Sequence, residues 1–384
     1  MRKKIVFLLS LISVLLLGCQ ETISLSEDER VTVPSNEQTE SSIIEMDEEE
    51  ESIQKEEKTI VIGAIGDILL HERAYERAEV EGGYDFNPML ENVAPLLAKP
   101  DFLMANQESI PGGIEIGLST YPAFNSPQEI VRELQFYGVD MLIGANNHTL
   151  DRGVRAIELA IDYYDEIGID YVGKYRDTED RETDRIVDVE GIEIGVLAYT
   201  YGTNGIPVPE GHEDVVALID EERIEQDVKA LREKVDILIV HMHWGDEYAQ
   251  EPNDEQRRLA NELSEMGVDL IFGHHPHVLQ PIDKIEQEDG HETIVFYSLG
   301  NFYSGQEFDY TDIGGLASVE VTKTTFGEET TFELSHYHIE PTLVLRQEYD
   351  YQVVPFAEAE HPSISGSTVE EMIDHTNLYL TGSE

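Results

Sequence analysis

The feature that most constrains this chain is a repeated pattern, in which five short apolar runs give way at once to residues able to bind a cation. Residues 59–65 lead into Gly66-Asp67, residues 101–105 into Asn106 and Glu108, and residues 140–144 into Asn146, Asn147 and His148, with Asp151 one helical turn on. Residues 235–240 end in His241 and His243, and residues 268–272 in His274, His275 and His277. A brief apolar run bounded by polar residues reads as a buried strand. Between the runs lie helical patterns. Val154, Ile157, Ile161 and Tyr164 recur at helical spacing and predict a core-facing stripe. Ser126-Pro127-Gln128-Glu129 reads as a capping box with proline at the first helical position, and Asn253 with Gln256 as a second, opening a helix to about Met266. Ile186–Val189 and Ile192–Ala198, joined by Glu190-Gly191, predict a hairpin, so the sheets are mixed. Residues 315–323 and 331–338 predict further strands. The expectation is an α/β domain over 59–345 and a C-terminal tail over 346–384.

In an open α/β sheet, ligands bind beyond the carboxyl ends of the strands. Five runs that deliver Asp, Glu, Asn and His to that edge predict one metal site. Each residue alone has a blander reading as a strand cap, a turn residue or a helix-start pair, and the recurrence is what carries the prediction. Imidazole nitrogens mixed with hard oxygen donors suit a divalent ion such as Mn²⁺, Zn²⁺ or Fe²⁺. Alternation in His241-Met242-His243 puts both imidazoles on one strand face, and Pro276 stiffens the turn that spaces His275 from His277. His274 is expected outside the ligand shell, in second rank or at the surface, and His71 is expected to face solvent. Cys19 is the only cysteine, which excludes an internal disulfide and a cysteine-based zinc site.

That cysteine belongs to a different signal. Arg2, Lys3 and Lys4 precede an apolar run over residues 5–17, which ends at Gly18-Cys19. The run is short for a membrane span and reads as a lipoprotein signal peptide over 1–18, with Cys19 acylated and placed at the new N-terminus. Two acyl chains anchor stably where one is marginal. Residues 19–58, centred on Glu48-Glu49-Glu50-Glu51, are polar and acidic and read as a disordered tether. The expected location is the outer face of the cytoplasmic membrane. The net charge is −55, and loss of residues 1–18, which carry three bases and no acids, takes it to −58. Such a surface excludes nucleic acid as a partner. It also opposes a free polyanion unless salt screens it.

Taken in order, Gly66-Asp67, Asn106-Gln107-Glu108, Asn146-Asn147-His148 with Asp151-Arg152-Gly153, His243-Trp244-Gly245 with Glu247-Tyr248, Gly273-His274-His275-Pro276-His277 and Ser298-Leu299-Gly300-Asn301-Phe302 resemble the CapA family of capsule (poly-γ-glutamate) synthesis proteins. The resemblance covers about residues 59–305. It implies a relative of the calcineurin-type metallophosphatases: a four-layer α-β-β-α sandwich of two mixed sheets flanked by helices. Carried over by motif, it makes Asp67, Glu108, Asn147, His243, His275 and His277 metal ligands and His148, with Asp151, the acid beside the site. Asn106, His241, His274 and Asn301 are additional candidates. Leu69 stands where the metallophosphatases usually place a ligand histidine, and Glu108 replaces an aspartate, so one ion or two remain alternatives. The resemblance implies a role in poly-γ-glutamate synthesis or export, with that polymer or another envelope polymer and a membrane synthase complex as partners. Two readings of the chemistry follow: a metal-dependent hydrolase of phosphoesters or other envelope substrates, or a non-catalytic polymer-binding partner.

Overall fold

The structure is a computed structural model, and it describes residues 55–380. The signal peptide and nearly all of the tether expected from the sequence lie outside the described residues. Fourteen strands make the two main sheets among them. In chain order they are β1 (Lys55–Leu69), β2 (Phe102–Asn106), β3 (Met141–Ile143), β4 (Asp170–Val172), β5 (Ile186–Val189), β6 (Ile192–Thr200) and β7 (Ile237–His243). There follow β8 (Leu270–His274), β9 (Ile282–Glu286), β10 (Glu292–Phe296), β11 (Asn301–Ser304), β12 (Ile313–Phe326), β13 (Glu329–Val344) and β14 (Val353–Pro355). The first sheet has the order β14-β13-β12-β1-β2-β3-β4, with β11 paired to the end of β1, and the second the order β9-β10-β8-β7-β6-β5. Both are mixed, and the hairpin expected around Glu190-Gly191 is the antiparallel β5–β6 pair.

Alternation along the strands divides the interior into three apolar layers. In β1, Ile60, Ile62 and Ala64 pack between the sheets with Ile194, Val196, Ile239, Leu270 and Phe272 of the second sheet. Leu103 and Ala105 of β2 turn the other way, onto α1 (Glu129–Phe136) and α2 (Gly153–Ile167), through Ile130, Leu134, Ile157 and Ile161. On the far side Leu238, Val240 and Ile271 face α3 (Glu221–Arg232) and α4 (Asp254–Glu265), through Val228, Leu231, Leu259 and Leu263. The period of two in the strands and of 3.6 in the helices thus yields the four-layer α-β-β-α sandwich. The second capping box is present: the Asn253 side chain accepts from the Gln256 N–H, and the Gln256 side chain returns to Asn253.

Three details differ from expectation. Ser126 does not cap a helix; its hydroxyl donates to the carbonyls of Ser109 and Ile110, and α1 begins at Glu129. Ordered pairing starts at Lys55, because β12 is long enough to pair with residues ahead of 59. The segment after 345 contributes β14 to the sheet edge and α5 (Val369–Thr376), opened by a Thr368–Glu371 capping box. Its Met372 is buried between the sheets, and so short an element leaves little periodicity to read.

Candidate metal site

The parallel strands place their polar ends side by side. Asp67, near the end of β1, is in register with Asn106 of β2 and Asn301 of β11, and His243 of β7 pairs with His274 of β8. Gly66 allows the first approach: a Cβ there would lie 2.2 Å from the Gly300 carbonyl oxygen, which accepts the Asp67 N–H at 2.8 Å. Asp67, Glu108, His243, His275 and His277 are all buried.

These five converge. Asp67, Glu108 and His277 offer ligand atoms within 4.8 Å of one another, as do Glu108, His243 and His275. Glu108 belongs to both groups. Asp67 accepts from Asn106 at 2.8 Å through Oδ1, and its Oδ2 lies 3.0 Å from His277 Nδ1. Burial opposes ionisation of Asp67, but the His274 and His277 rings beside it hold its carboxyl well below the usual range. Burial raises Glu108 well above its ordinary value. Burial also lowers His275 to about 3 and puts His243 well below its usual range, so both present neutral, ligand-competent rings. At His277 burial works against the cation, but Glu108 and Asp67 outweigh it and hold the ring at about 9. A divalent ion would replace that proton.

The residues fit such an ion. Both Glu108 oxygens, His243 Nδ1 and His275 Nδ1 are buried without a hydrogen-bond partner. Unpartnered buried acceptors clustered with carboxylates are costly, and a cation beside Glu108, whose Oε1 lies 3.6 Å from His243 Nε2, satisfies the Glu108 oxygens. Backbone strain gathers here as well: His275 (φ 97°) and His277 (φ 60°) flank Pro276 in the left-handed region, a conformation that costs about 1–3 kcal/mol per residue and clusters at functional sites.

Asn147, the sixth expected ligand, brings its side-chain oxygen to the pocket, and the other candidates lie around it. Asn147 Oδ1 lies 2.9 Å from His243 Nε2. His148 sits with Nδ1 2.7 Å from Asp151 Oδ2, and Asp151 also accepts the Phe124 N–H. Asn106 holds Asp67. His274 is buried, its Nδ1 3.4 Å from Asp67 and its Nε2 3.0 Å from His241 Nδ1. His241 is turned away from the ligand groups, its Nε2 3.2 Å from Met104 Sδ. Asn301 donates to Gln306 and to the Thr311 carbonyl. His71 does not face solvent: it is 8% exposed, with its ring edge-on to Phe124 at 5.0 Å, because the chain after β1 folds back under residues 119–125.

Sequence reasoning missed three residues. Asn204 (φ 52°) links Asn147 to His148, its Oδ1 accepting from Asn147 and its Nδ2 3.3 Å from His148 Nδ1. Tyr201 lies over the histidines, 4.7 Å from the His275 ring. Glu247 forms a third group with His275 and His277. Tyr201 and Asn204 follow β6, an apolar run whose end lacks charge and so gave no signal; the Gly-rich turn at 202–205 was the available clue.

Fold and pocket together define a two-sheet α/β protein whose strand ends gather histidine and carboxylate groups that could hold a divalent metal ion. The chain belongs to the bacterial capsule synthesis protein PGA_cap family, whose model matches residues 61–306. It is 30% identical over 272 residues to the PGA biosynthesis protein CapA of Bacillus subtilis (strain 168), covering 68% of each chain. It is 28% identical over 271 residues to the capsule biosynthesis protein CapA of Bacillus anthracis, covering 68% of this chain and 64% of that one. Among solved structures, a novel phosphatase of Mycoplasma pneumoniae is similar at a TM-score of 0.43 and 14% identity, over 73% of this chain and 94% of that one.

Proposed function

We propose that this chain is an exported lipoprotein, anchored through Cys19 at the outer face of the cytoplasmic membrane, that serves poly-γ-glutamate capsule synthesis or export through a divalent-metal pocket. The family and the names of its relatives support the capsule role. The basic start, the apolar run and Gly18-Cys19 support the anchor. The observation that carries the pocket is Glu108, whose two oxygens are buried and unpartnered among His243, His275, His277 and Asp67. In a chain of net charge −55, a localised cation is what a polymer carboxylate could bind. The acidic tether would carry the pocket away from the membrane, toward the polymer leaving a synthase complex.

The His148–Asp151 pair beside the pocket favours a second reading, that of a hydrolase. A divalent ion held by Asp67, Glu108, His243, His275 and His277 would supply Lewis-acid polarisation of a carbonyl or phosphoryl oxygen. Asp151 fixes the His148 ring through Nδ1, the shorter of its two contacts, and this leaves Nε2 to pass a proton to a leaving group.

One experiment separates the two. The purified full-length protein, its His243→Ala and its His275→Ala variants would be assayed with Mn²⁺ on γ-glutamyl oligomers and phosphodiesters. Turnover by the wild type that both variants lose supports the hydrolase. Metal bound without turnover, with polymer output lost in cells carrying either variant, supports the binding role. A wild type that binds no metal under replete conditions rejects the pocket.

A further inference from the structure

The third group, Glu247 with His275 and His277, differs from the other two in that its carboxylate is exposed while both imidazoles are buried. The family motifs placed no ligand role on Glu247. It lies in the segment between β7 and α4, and that segment is tied to the ligand turn at two points. The Trp244 N–H donates to the His274 carbonyl at 3.1 Å, and the Tyr248 N–H to the Pro276 carbonyl at 2.8 Å. On either side of Asp246-Glu247 the backbone is left-handed, at Gly245 (φ 86°) and Tyr248 (φ 67°). A Cβ at Gly245 would sit 2.5 Å from Gln256 Oε1, so the turn needs glycine for space as well as for conformation. Tyr248 adopts the same region at a cost. Its ring lies 6.2 Å from that of His277, and its hydroxyl takes part in a hydrogen bond with Glu247.

These contacts bring an acid from the solvent side back over two imidazoles. Independently, His275 Nδ1 is buried without a partner. We propose that Glu247 is a further metal ligand, which closes the pocket from its solvent side over His275 and His277. A carboxylate oxygen there adds a hard donor to a histidine-rich edge, which suits the same intermediate divalent ions. The proposal rests on the reading of the pocket as a divalent-metal site.

Co²⁺ serves as the probe, because its visible bands report coordination. Full-length wild type and Glu247→Gln, an exposed and near-isosteric change, would each be titrated with Co²⁺ by calorimetry and absorption. The variant is expected to bind at least one Co²⁺ more weakly by roughly ten- to hundredfold, the range found even for groups that only support a ligand, with altered bands. Unchanged affinity and bands would overturn the assignment. Weakened affinity with unchanged bands would also overturn it, leaving Glu247 a long-range charge. A wild type that takes up no Co²⁺ would instead defeat the pocket reading itself, and so the two failures are distinguishable.

Discussion

Lys174 is a buried charged group that the site does not use. It follows β4, is 1% exposed, and has its Nζ 5.0 Å from the centre of the Tyr164 ring. Its stem packs on Gly144, just ahead of Asn146-Asn147-His148. Burial lowers its amine from 10.5 to about 7. Below pH 7 the folded and unfolded chains both carry the proton, and the whole cost of burying the charge stands. Between pH 7 and about 10 the unfolded chain holds a proton that the folded one lacks, so stability rises with pH. Lys174→Met is therefore expected to raise the unfolding free energy most below pH 7, by up to about 5 kcal/mol, with the gain fading toward pH 10. Urea midpoints across that range measure it, and a gain that grows with pH would contradict the assignment.

At the scale of elements, α4 steadies one side of the pocket. Its capping box sets Gln256, whose Nε2 donates to Gln280 Oε1 at 2.9 Å, and Gln280 in turn donates to the Ala249 carbonyl at 2.8 Å. The cap, the turn after the ligand histidines and the Glu247 segment are thus one hydrogen-bonded assembly. Asn253→Ala removes the side-chain acceptor of the cap and is expected to cost about 1 kcal/mol, read as a lower urea midpoint at unchanged slope. A change of slope would mean that the fold itself had changed. The strand ends show the same economy: β1 is held by β2, β11 and β12, and Asp67 near its end is fixed between Asn106 and His277.

For the whole molecule, binding of the proposed metal would be linked to the fold, since the pocket joins strands from both sheets. An ion bound only by the folded chain stabilises it by about 2.7 kcal/mol at a hundredfold excess over Kd. EDTA is expected to lower Tm, and Mn²⁺ to restore it in the wild type but not in His275→Ala, as followed by calorimetry. The succession of apolar runs determined the α/β class, the mixed sheets and the capping of α4, because strand alternation and capping are local. It also brought Asp67, Asn106, Glu108, Asn147, His148, His241, His243, His274, His275 and His277 to one edge, because parallel strands send their ends there whatever the loops do; the narrower ligand set came from the family resemblance. Ser126 misled because its hydroxyl met a closer backbone partner from a distant loop. His71 misled because the residues that bury it lie some fifty positions on. The tertiary structure sets His243 in the pocket, beside Asn147, and packs His241, two residues earlier, behind it against Met104. Only the tertiary structure also brought in Glu247, Tyr201 and Asn204. A strand's period fixes which face a side chain takes, but what lies across that face is set by the packing of a second sheet, which no local pattern records.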